Sequence, residues 1–449
     1  EQGLTLRLYP SSYPSSTVGG WLAQEGAGFG SHANGWFSET VLGARLVRPD
    51  GEVQDLSGDD LGLVCAAEGI TGLVSQVSIR VQRTAELALF AASFETPEQI
   101  GGFVEALSQS GAPVWSLSFI NPVMAKLKQG LANPTLPHHP PEHRPAVRAA
   151  YGALLTYPIA ARNEVEQAAA RAVEAHGGTV LSADVAEHEW GSRFKILEIK
   201  RHGPSLIPAE VVVPTANLGK ALAALEKQVK QPLALECMSV NGEETVLLGF
   251  IPHDERTFSF NLAYAASLTV LTVAERHGGR TYATGIYFPG QAEQVYGKER
   301  LDRIKAFKRQ HDPYDLMNPG KLYSGSNLSY TIAAANAFEF VARPLANAAG
   351  LALGRPRPDD EVGAEGFACS RCGYCLAACP TFEASRQEGL SARGRVALAK
   401  RFLSGEVEPS PEIADRIFSC TTCMSCTNAC PLGVQTVELV EAVRGAMAK

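Results

Sequence analysis

The sequence predicts an α+β protein built of three unlike parts, and three features carry that expectation. From Ala85 onward strand-like and helix-like stretches alternate, as in a sheet with helices laid on one face. Residues 1–82 hold short strands separated by glycine and small hydroxyl residues. The last fifth of the chain carries two near-identical cysteine runs with helical spacing between them. The expected divisions are 1–82, 83–325, a helical connector and linker over 326–365, and 366–449.

Residues 4–8 alternate like a strand and lead into Ser11, Ser12, Ser16, Thr17, Gly19 and Gly20, with further glycines at 26, 28, 30 and 35. So much glycine and hydroxyl in one loop lets backbone N–H groups approach a phosphate or a flat ring closely. Residues 40–47 with the turn Pro49-Asp50-Gly51 read as a strand and hairpin. Glu68-Gly69-Ile70-Thr71-Gly72-Leu73-Val74 then breaks a helix-like run and opens a strand over 77–81. The alternating region follows: strand 87–94, helix 97–109, strand 114–120, helix 163–175, a strand around Val180, strand 210–213, helix 218–228, and strands 234–240 and 246–251. It predicts an antiparallel sheet with its helices on one face.

Between these units lies a proline-rich tract over 133–145 with His138, His139 and His143. Histidine-rich tracts can bind metal, but proline stiffness and exposure favour a solvated surface loop. Residues 324–354 read as an alanine-rich helical connector broken at Pro344, and residues 355–360 as a polar, proline-rich linker. Cys65 and Cys237 sit in apolar runs and read as small buried hydrophobes.

The cysteine runs are Cys369-x2-Cys372-x2-Cys375-x3-Cys379-Pro380 and Cys420-x2-Cys423-x2-Cys426-x3-Cys430-Pro431. Three thiolates at two-residue intervals wrap three corners of an iron–sulfide cubane, and the fourth corner must come from elsewhere. In chains with two such runs, the cysteine before proline serves the other cluster. One [4Fe-4S] cluster is therefore assigned to Cys369, Cys372, Cys375 and Cys430, the other to Cys420, Cys423, Cys426 and Cys379. A structural zinc site wants two C-x2-C pairs and has no use for a third cysteine plus Cys-Pro. Disulfides fit less well still, because thiolate spacing implies a reducing compartment. Residues 390–403, 411–419 and 434–447 read as the helices of this domain.

A chain of 449 residues, 45% hydrophobic, is long enough for two or three cores. A net charge of −7, with pI near 5.9 and no basic face, argues against nucleic acid as the main partner. No run of about twenty uncharged apolar residues appears, and the N-terminus lacks a basic-then-apolar signal pattern. The expected location is cytoplasmic, with peripheral membrane association available through partners.

The order of these pieces has a family likeness. PSS-x-TVGG, a glycine-rich loop, a strand, a DGEV hairpin and EGITGLV together resemble the second half of the FAD-binding domain of the vanillyl-alcohol oxidase type, in particular the glycolate and D-lactate dehydrogenase group. The resemblance implies FAD contacts at Ser16, Thr17, Gly19, Gly20, Gly69, Gly72 and Val74. The α+β domain resembles the same family's cap domain. Asp312-Pro313 and Asn318-Pro319-Gly320-Lys321-Leu322 match its closing motif, which implies that Asn318 and Lys321 approach the flavin. Trp190-x-x-Arg193 and Glu210-Val-Val-Val-Pro214 are similar to its W-x-x-R and DVxVP segments, which implies Arg193 near a substrate carboxylate; a structural salt bridge is the competing role. The family's first half should precede Glu1. A second polypeptide, removed upstream residues, or a fold that no longer binds flavin would each account for its absence.

One departure bears on chemistry. The family's GH-x-GDGNLH and GEHG segments supply metal ligands and a general base, whereas here Arg256 and Ala263 replace the two histidines, Ile286 the glutamate and Tyr287 the catalytic histidine. A tyrosine with pKa near 10 is a poor base at neutral pH. His253, Tyr282 and Tyr287 remain candidate proton carriers, against ordinary packing roles. The cysteine domain, with its Ser391-Ala392-Arg393-Gly394-Arg395 element, resembles the helical two-cluster ferredoxin domain of glycolate dehydrogenase iron–sulfur subunits and succinate dehydrogenase relatives.

The implied function is a flavin and iron–sulfur oxidoreductase subunit. It would pass electrons from an organic donor such as glycolate or D-lactate through FAD and two clusters to a partner protein or a quinone-linked acceptor. The implied partners are a chain completing the FAD site and a cysteine-rich CCG-type acceptor subunit. The alternative is a noncatalytic relay or scaffold subunit of a larger, heterodisulfide-reductase-like complex.

Overall fold

The computed structural model describes residues 2–13, 16–131, 148–257, 263–323 and 361–448, with isolated positions between these stretches. The tract holding His138, His139 and His143, the positions Asn261 and Leu262, and most of the connector over 324–360 lie outside the described residues.

The largest element is an eight-stranded sheet, antiparallel at every pairing, made from two copies of one strand–helix–strand–strand–helix pattern. The first copy runs Leu87–Phe94, Pro97–Gln109, Ser116–Ile120, Tyr151–Pro158 and Arg162–Ala175. The second runs Ser205–Pro214, Leu218–Gln228, Ala234–Val240, Glu244–His253 and Ala265–Arg276. Their short strands Ser116–Ile120 and Ala234–Val240 pair at the centre, with Cys237 opposite Phe119. Thr96 caps the first helix in a capping box with Gln99, and Pro97 at its start has no N–H to lose. The helices meet where Gly101 faces Gly219: a Cβ on Gly101 would stand 2.6 Å from the Gly219 backbone. Only glycine permits so close a crossing.

The four helices of the two copies lie on one face and share a core with Phe94, Leu117, Tyr151, Leu155, Val211 and Leu235; the one-sided arrangement was expected from the alternation, helix Ala265–Arg276 was not. Strand Tyr151–Pro158 was not expected. It is buried along most of its length and so lacks the period-two signal. Strand Ser205–Pro214 runs five residues further toward the N-terminus than its apolar core suggests, because Pro208 pairs opposite Phe250 without ending the ladder. Even-numbered residues of this strand turn away from the helices, and Glu210, opposite Leu248, is among them.

The N-terminal part is a three-stranded sheet in the order Val53–Ser57, Val41–Val47, Leu73–Ile79. The last strand begins at Leu73, four residues earlier than expected, directly after Gly72 with φ +148°. Its core of Leu22, Phe37, Leu46, Leu56 and Ile70 is closed by a return of the chain, for Ala292, Tyr296, Leu301, Ile304 and Leu322 pack into the same cluster. The C-terminal part is helical, with Ala392–Leu403, Pro411–Phe418 and Thr436–Met447 around Val396, Ile417, Leu439 and Val443. Among the described residues no helix is long and apolar enough to cross a membrane.

Candidate redox site

The loop from Glu68 to Gly72 is the joint of the N-terminal part. Gly69 has φ +72°, and Gly72 lies so close to strand Val41–Val47 that a Cβ would stand 2.4 Å from the Val47 carbonyl. Glu68 Oε1 accepts from Thr284 Oγ1 (2.9 Å) and from the Gly285 N–H (2.7 Å). The Asn318 amide donates to the Glu68 carbonyl. Asn318 is held in turn by a buried knot, in which Lys308 Nζ binds Asp312 at 2.7 Å, the Met317 carbonyl at 2.9 Å and the Ile70 carbonyl at 3.4 Å. The Asp312 carboxyl lies below the usual range despite burial, chiefly because Lys308 and the Met317 and Leu316 N–H groups bind its charged form.

Sequence segments some 250 residues apart are thus brought to one place: Gly69, Gly285 and Asn318. Gly19 and Val74 form a second contact, since a Cβ on Gly19 would stand 2.9 Å from the Val74 carbonyl. Thr17 caps the helix Val18–Gln24, accepting from the Gly20 N–H at 3.1 Å, with Ser16 beside it. Lys321 follows Asn318 on the surface of this joint.

The candidate catalytic residues are not gathered together. Arg193 stacks on Trp190 (3.8 Å) and Phe194 (4.4 Å) and donates to the Trp190 carbonyl, in an aromatic cluster with Tyr9, Phe29 and Trp115. Among the described residues no carboxylate pairs with it; its partners are rings, the Trp190 carbonyl and the Tyr9 hydroxyl. Tyr287 packs on Tyr264 (5.3 Å), whose hydroxyl it meets. His253 is buried, its Nδ1 accepting from the Asp254 N–H (2.8 Å) and its ring edge against Phe260, with no partner at Nε2 among the described residues. Arg256, standing where the family has a histidine, holds Asp254 with bonds of 2.7–3.2 Å.

What does form a chamber is a cavity of about 330 Å³ between the three parts of the molecule. Ser11, Ser12, Trp21, Gln24 and Glu25 line it from the N-terminal part. Phe194 to Glu198, Glu210, Leu248, Phe250 and Tyr282 line it from the sheet, and Ser370, Cys372, Tyr374, Pro431 and Leu432 from the cysteine domain. Sequence reasoning missed Trp21, Glu25 and Glu210 as site residues. Glu210 left one signal, a carboxylate in the outward register of an otherwise apolar strand. Burial pushes Glu210 up to about 7 and raises Glu25, which accepts from the Ser38 N–H at 3.0 Å.

The cysteine domain is docked on the sheet domain by charge. Lys200 Nζ donates to the Phe367 carbonyl (3.0 Å) and the Cys369 carbonyl (3.4 Å), and Arg201 binds the Leu432 carbonyl (2.6 Å) and Glu365. Lys400 pairs with Glu255 at 3.1 Å and lies 3.5 Å over the Phe367 ring.

Four of the eight cysteines share one cavity, and the others neighbour one another. Cys379, Cys420, Cys423 and Cys426 line one cavity together with Thr381 and Arg395. Burial pushes Cys375 up to about 12, with Cys369, Cys430, Cys372 and, last, Cys426 as neighbours adding to the rise. Cys430 is raised by burial and by Cys372 and Cys369. The proximities therefore run across the two motifs. Among the described residues no three potential ligands close on one point as a single ion requires. Thiols crowded this way stay ionised only beside a strong positive charge, which a metal cluster supplies. The buried Glu68 Oε2, which has no partner among the described residues, likewise fits a bound group with a hydrogen-bond donor.

Fold and site together define a flavin-type oxidase domain joined to a dicluster ferredoxin domain. Family models agree: residues 83–322 match the C-terminal domain of FAD linked oxidases, residues 1–57 an FAD binding domain, and residues 365–434 a 4Fe-4S dicluster domain. The chain belongs to the FAD linked oxidases, with FAD and two [4Fe-4S] clusters as its cofactors.

The cysteine domain is 42% identical over 77 residues to a probable glycolate oxidase iron–sulfur subunit of Bacillus subtilis, covering 17% of each chain. It is 38% identical over 97 residues to a subunit of the dihydromethanophenazine:CoB–CoM heterodisulfide reductase of Methanosarcina barkeri, covering 18% of this chain and 24% of that one. Over 349 residues the chain is 23% identical to a mitochondrial D-lactate dehydrogenase (cytochrome) of Arabidopsis thaliana, covering 72% of this chain and 59% of that one. The matches thus span less than two thirds of each relative's own length. A crystal structure of p-cresol methylhydroxylase shares the fold, with a TM-score of 0.53 at 14% identity over 66% of this chain and 68% of that one.

Proposed function

We propose that the protein is a dehydrogenase subunit that takes two electrons from a small organic donor at FAD and releases them singly through its two clusters. A flavin accepts electrons in pairs and clusters pass them one at a time, so the pair of cofactors joins two kinds of chemistry. The observation that supports this reading is the shared cavity. Cys372 forms part of its wall together with Trp21, Glu25, Glu210 and Tyr282.

In this reading Ser16, Thr17, Gly19, Gly20, Gly69, Gly72, Val74, Asn318 and Lys321 hold the cofactor's edge. The set Cys369, Cys372, Cys375 and Cys430 receives electrons first. The set Cys420, Cys423, Cys426 and Cys379 receives them second, and Cys423, the exposed thiol, marks the exit toward an acceptor protein. The donor is a 2-hydroxy acid such as glycolate or D-lactate. A partner chain completes the flavin side. Val53 (60% exposed) and Leu73 (65% exposed), on strands that flank Val47, offer it an apolar surface. A cysteine-rich subunit of the CCG type serves as acceptor, in the cytoplasm or on the inner membrane face.

The second reading, a relay subunit with a degenerate substrate site, draws support from Arg193 and Tyr287, which are both committed to aromatic packing. Anaerobic addition of glycolate or D-lactate to the flavin-loaded protein separates the two. Bleaching of the flavin band followed by cluster reduction supports the dehydrogenase. A flavin band that neither acid bleaches, with clusters still reducible by a partner, supports the relay.

A further inference from the structure

The cavity contains several groups able to carry a proton, and their hydrogen bonds separate them. Tyr282 accepts from the Ala27 N–H at 2.9 Å, and Glu25 accepts from the Ser38 N–H at 3.0 Å. Tyr287 and Tyr264 engage each other behind the sheet edge, and His253 is not among the residues lining the cavity. Glu210 differs from all of these. Its strand register turns it toward the cavity beside Leu248, and among the described residues no donor or cation reaches its carboxylate. The titratable groups facing it are Tyr282 from the segment after Arg280–Thr281, Tyr264 from the start of helix Ala265–Arg276, and Glu25 across the cavity. Lys195 and Glu198 line the same chamber further along.

We infer that Glu210 is the residue that receives the donor's hydroxyl proton when the donor is oxidised in this cavity. The inference rests on the dehydrogenase reading above and deepens it. The balance is simple: the O–H bond breaks and its proton goes to the Glu210 carboxylate, the C–H hydrogen leaves with its electron pair to the flavin, and the carbon–oxygen double bond forms. Glu210 thus takes over the proton-accepting role that a histidine has in the resembling family, from a different position in the fold. A carboxyl whose pKa lies near 7 suits that task, whereas an ordinary glutamate is too weak a base and a tyrosine releases its proton too late. The cause is burial alone, which disfavours the charged form.

The test uses the purified, flavin-loaded protein with any chain that accompanies it. In the wild type the rate of anaerobic bleaching by glycolate or D-lactate should rise as pH passes through about 7, where Glu210 ionises. E210Q should bleach about 10²- to 10⁴-fold more slowly, without that pH step and with unchanged flavin and iron content. E210D should recover part of the rate. A second readout needs no turnover: the infrared carbonyl absorption of a protonated carboxylic acid, seen in wild type minus E210Q at pH 6, should vanish by pH 8. Should E210Q lose its cofactors, E210D carries the rate test, and a rate equal to wild type overturns the assignment. Bleaching in E210Q at the wild-type rate overturns Glu210 and leaves the dehydrogenase reading standing. Absence of the carbonyl band at pH 6 also overturns Glu210. If neither acid bleaches the wild type, this role and the hydroxy-acid reading fall together, whatever the infrared titration shows.

Discussion

The two sets of cysteines have the same spacing and very different surroundings. The first, around Cys372 and Cys375, opens into the central cavity and is gripped from the sheet domain by Lys200 and Arg201. The second, around Cys426, is walled by Arg395 and reaches the surface at Cys423. Arg395 is 1% exposed and donates to Thr381 Oγ1 (2.9 Å), Ser419 Oγ (2.9 Å) and the Arg416 carbonyl (2.7 Å). The contrast teaches that a motif determines which metal group is held, while the neighbours determine its place in a relay. One set opens into the cavity and the other reaches the surface.

Crossing the ligands is the most severe way to break that comparison. If Cys379 belongs with the second run and Cys430 with the first, C379S should disable the surface-facing cluster and C430S the cavity-facing one. Each loses about half the iron. C430S should leave a flavin that the donor bleaches but that cannot empty into the clusters. C379S should still pass electrons to one cluster and fail only toward an external acceptor. Iron content with low-temperature electron paramagnetic resonance during donor reduction reads this. If C379S instead behaves like C372S, each run holds its own cluster.

The dicluster domain was legible because metal ligation by a loop is local, so the spacing of Cys369, Cys372 and Cys375 carries it in the sequence alone. The cavity was not legible, because its walls come from residues near 11, 25, 195, 210, 282, 372 and 431, and no spacing rule joins them. Three helices of the sheet domain, Pro97–Gln109, Arg162–Ala175 and Leu218–Gln228, were readable from the sequence, whereas Ala265–Arg276 and Lys298–His311 were not. Strand Tyr151–Pro158 was not, since burial on both sides removes the alternation. Arg193 was singled out by a motif and then found stacked on rings, a tertiary arrangement that the motif does not encode.

A smaller effect sharpens the difference between the cradles. R395M removes a fully buried guanidinium and takes one donor each from Thr381 Oγ1, Ser419 Oγ and the Arg416 carbonyl, which costs about 3 kcal/mol. The loss should fall on the second cluster. On heating or exposure to air its signal disappears first, while the first cluster and the flavin band persist. Simultaneous loss of both would mean that the ferredoxin domain fails as one unit. G101V is the matching control, because it forces the crossing of helices Pro97–Gln109 and Leu218–Gln228 apart, far from both sets. Overpacking of this kind costs about 1–3 kcal/mol, so the melting temperature should fall with no bias toward either cluster.

The least disruptive change addresses the first set alone. Burial lowers the pKa of Lys200, while the neighbouring Cys369 acts to raise it, and its ammonium bonds two carbonyls of the loop that carries Cys369. A positive charge at that position favours the reduced, more negative form of the nearby cluster. K200M should therefore lower the reduction potential of the cavity-facing cluster and leave that of the surface-facing cluster unchanged. It should also loosen the docked loop by about 1 kcal/mol, seen as faster hydrogen exchange at residues 367–369. A potentiometric titration followed cluster by cluster decides the point. Equal shifts in both clusters would show that the charge acts on the domain as a whole, and the asymmetry between the two cradles would then lie in their walls rather than in their electrostatics.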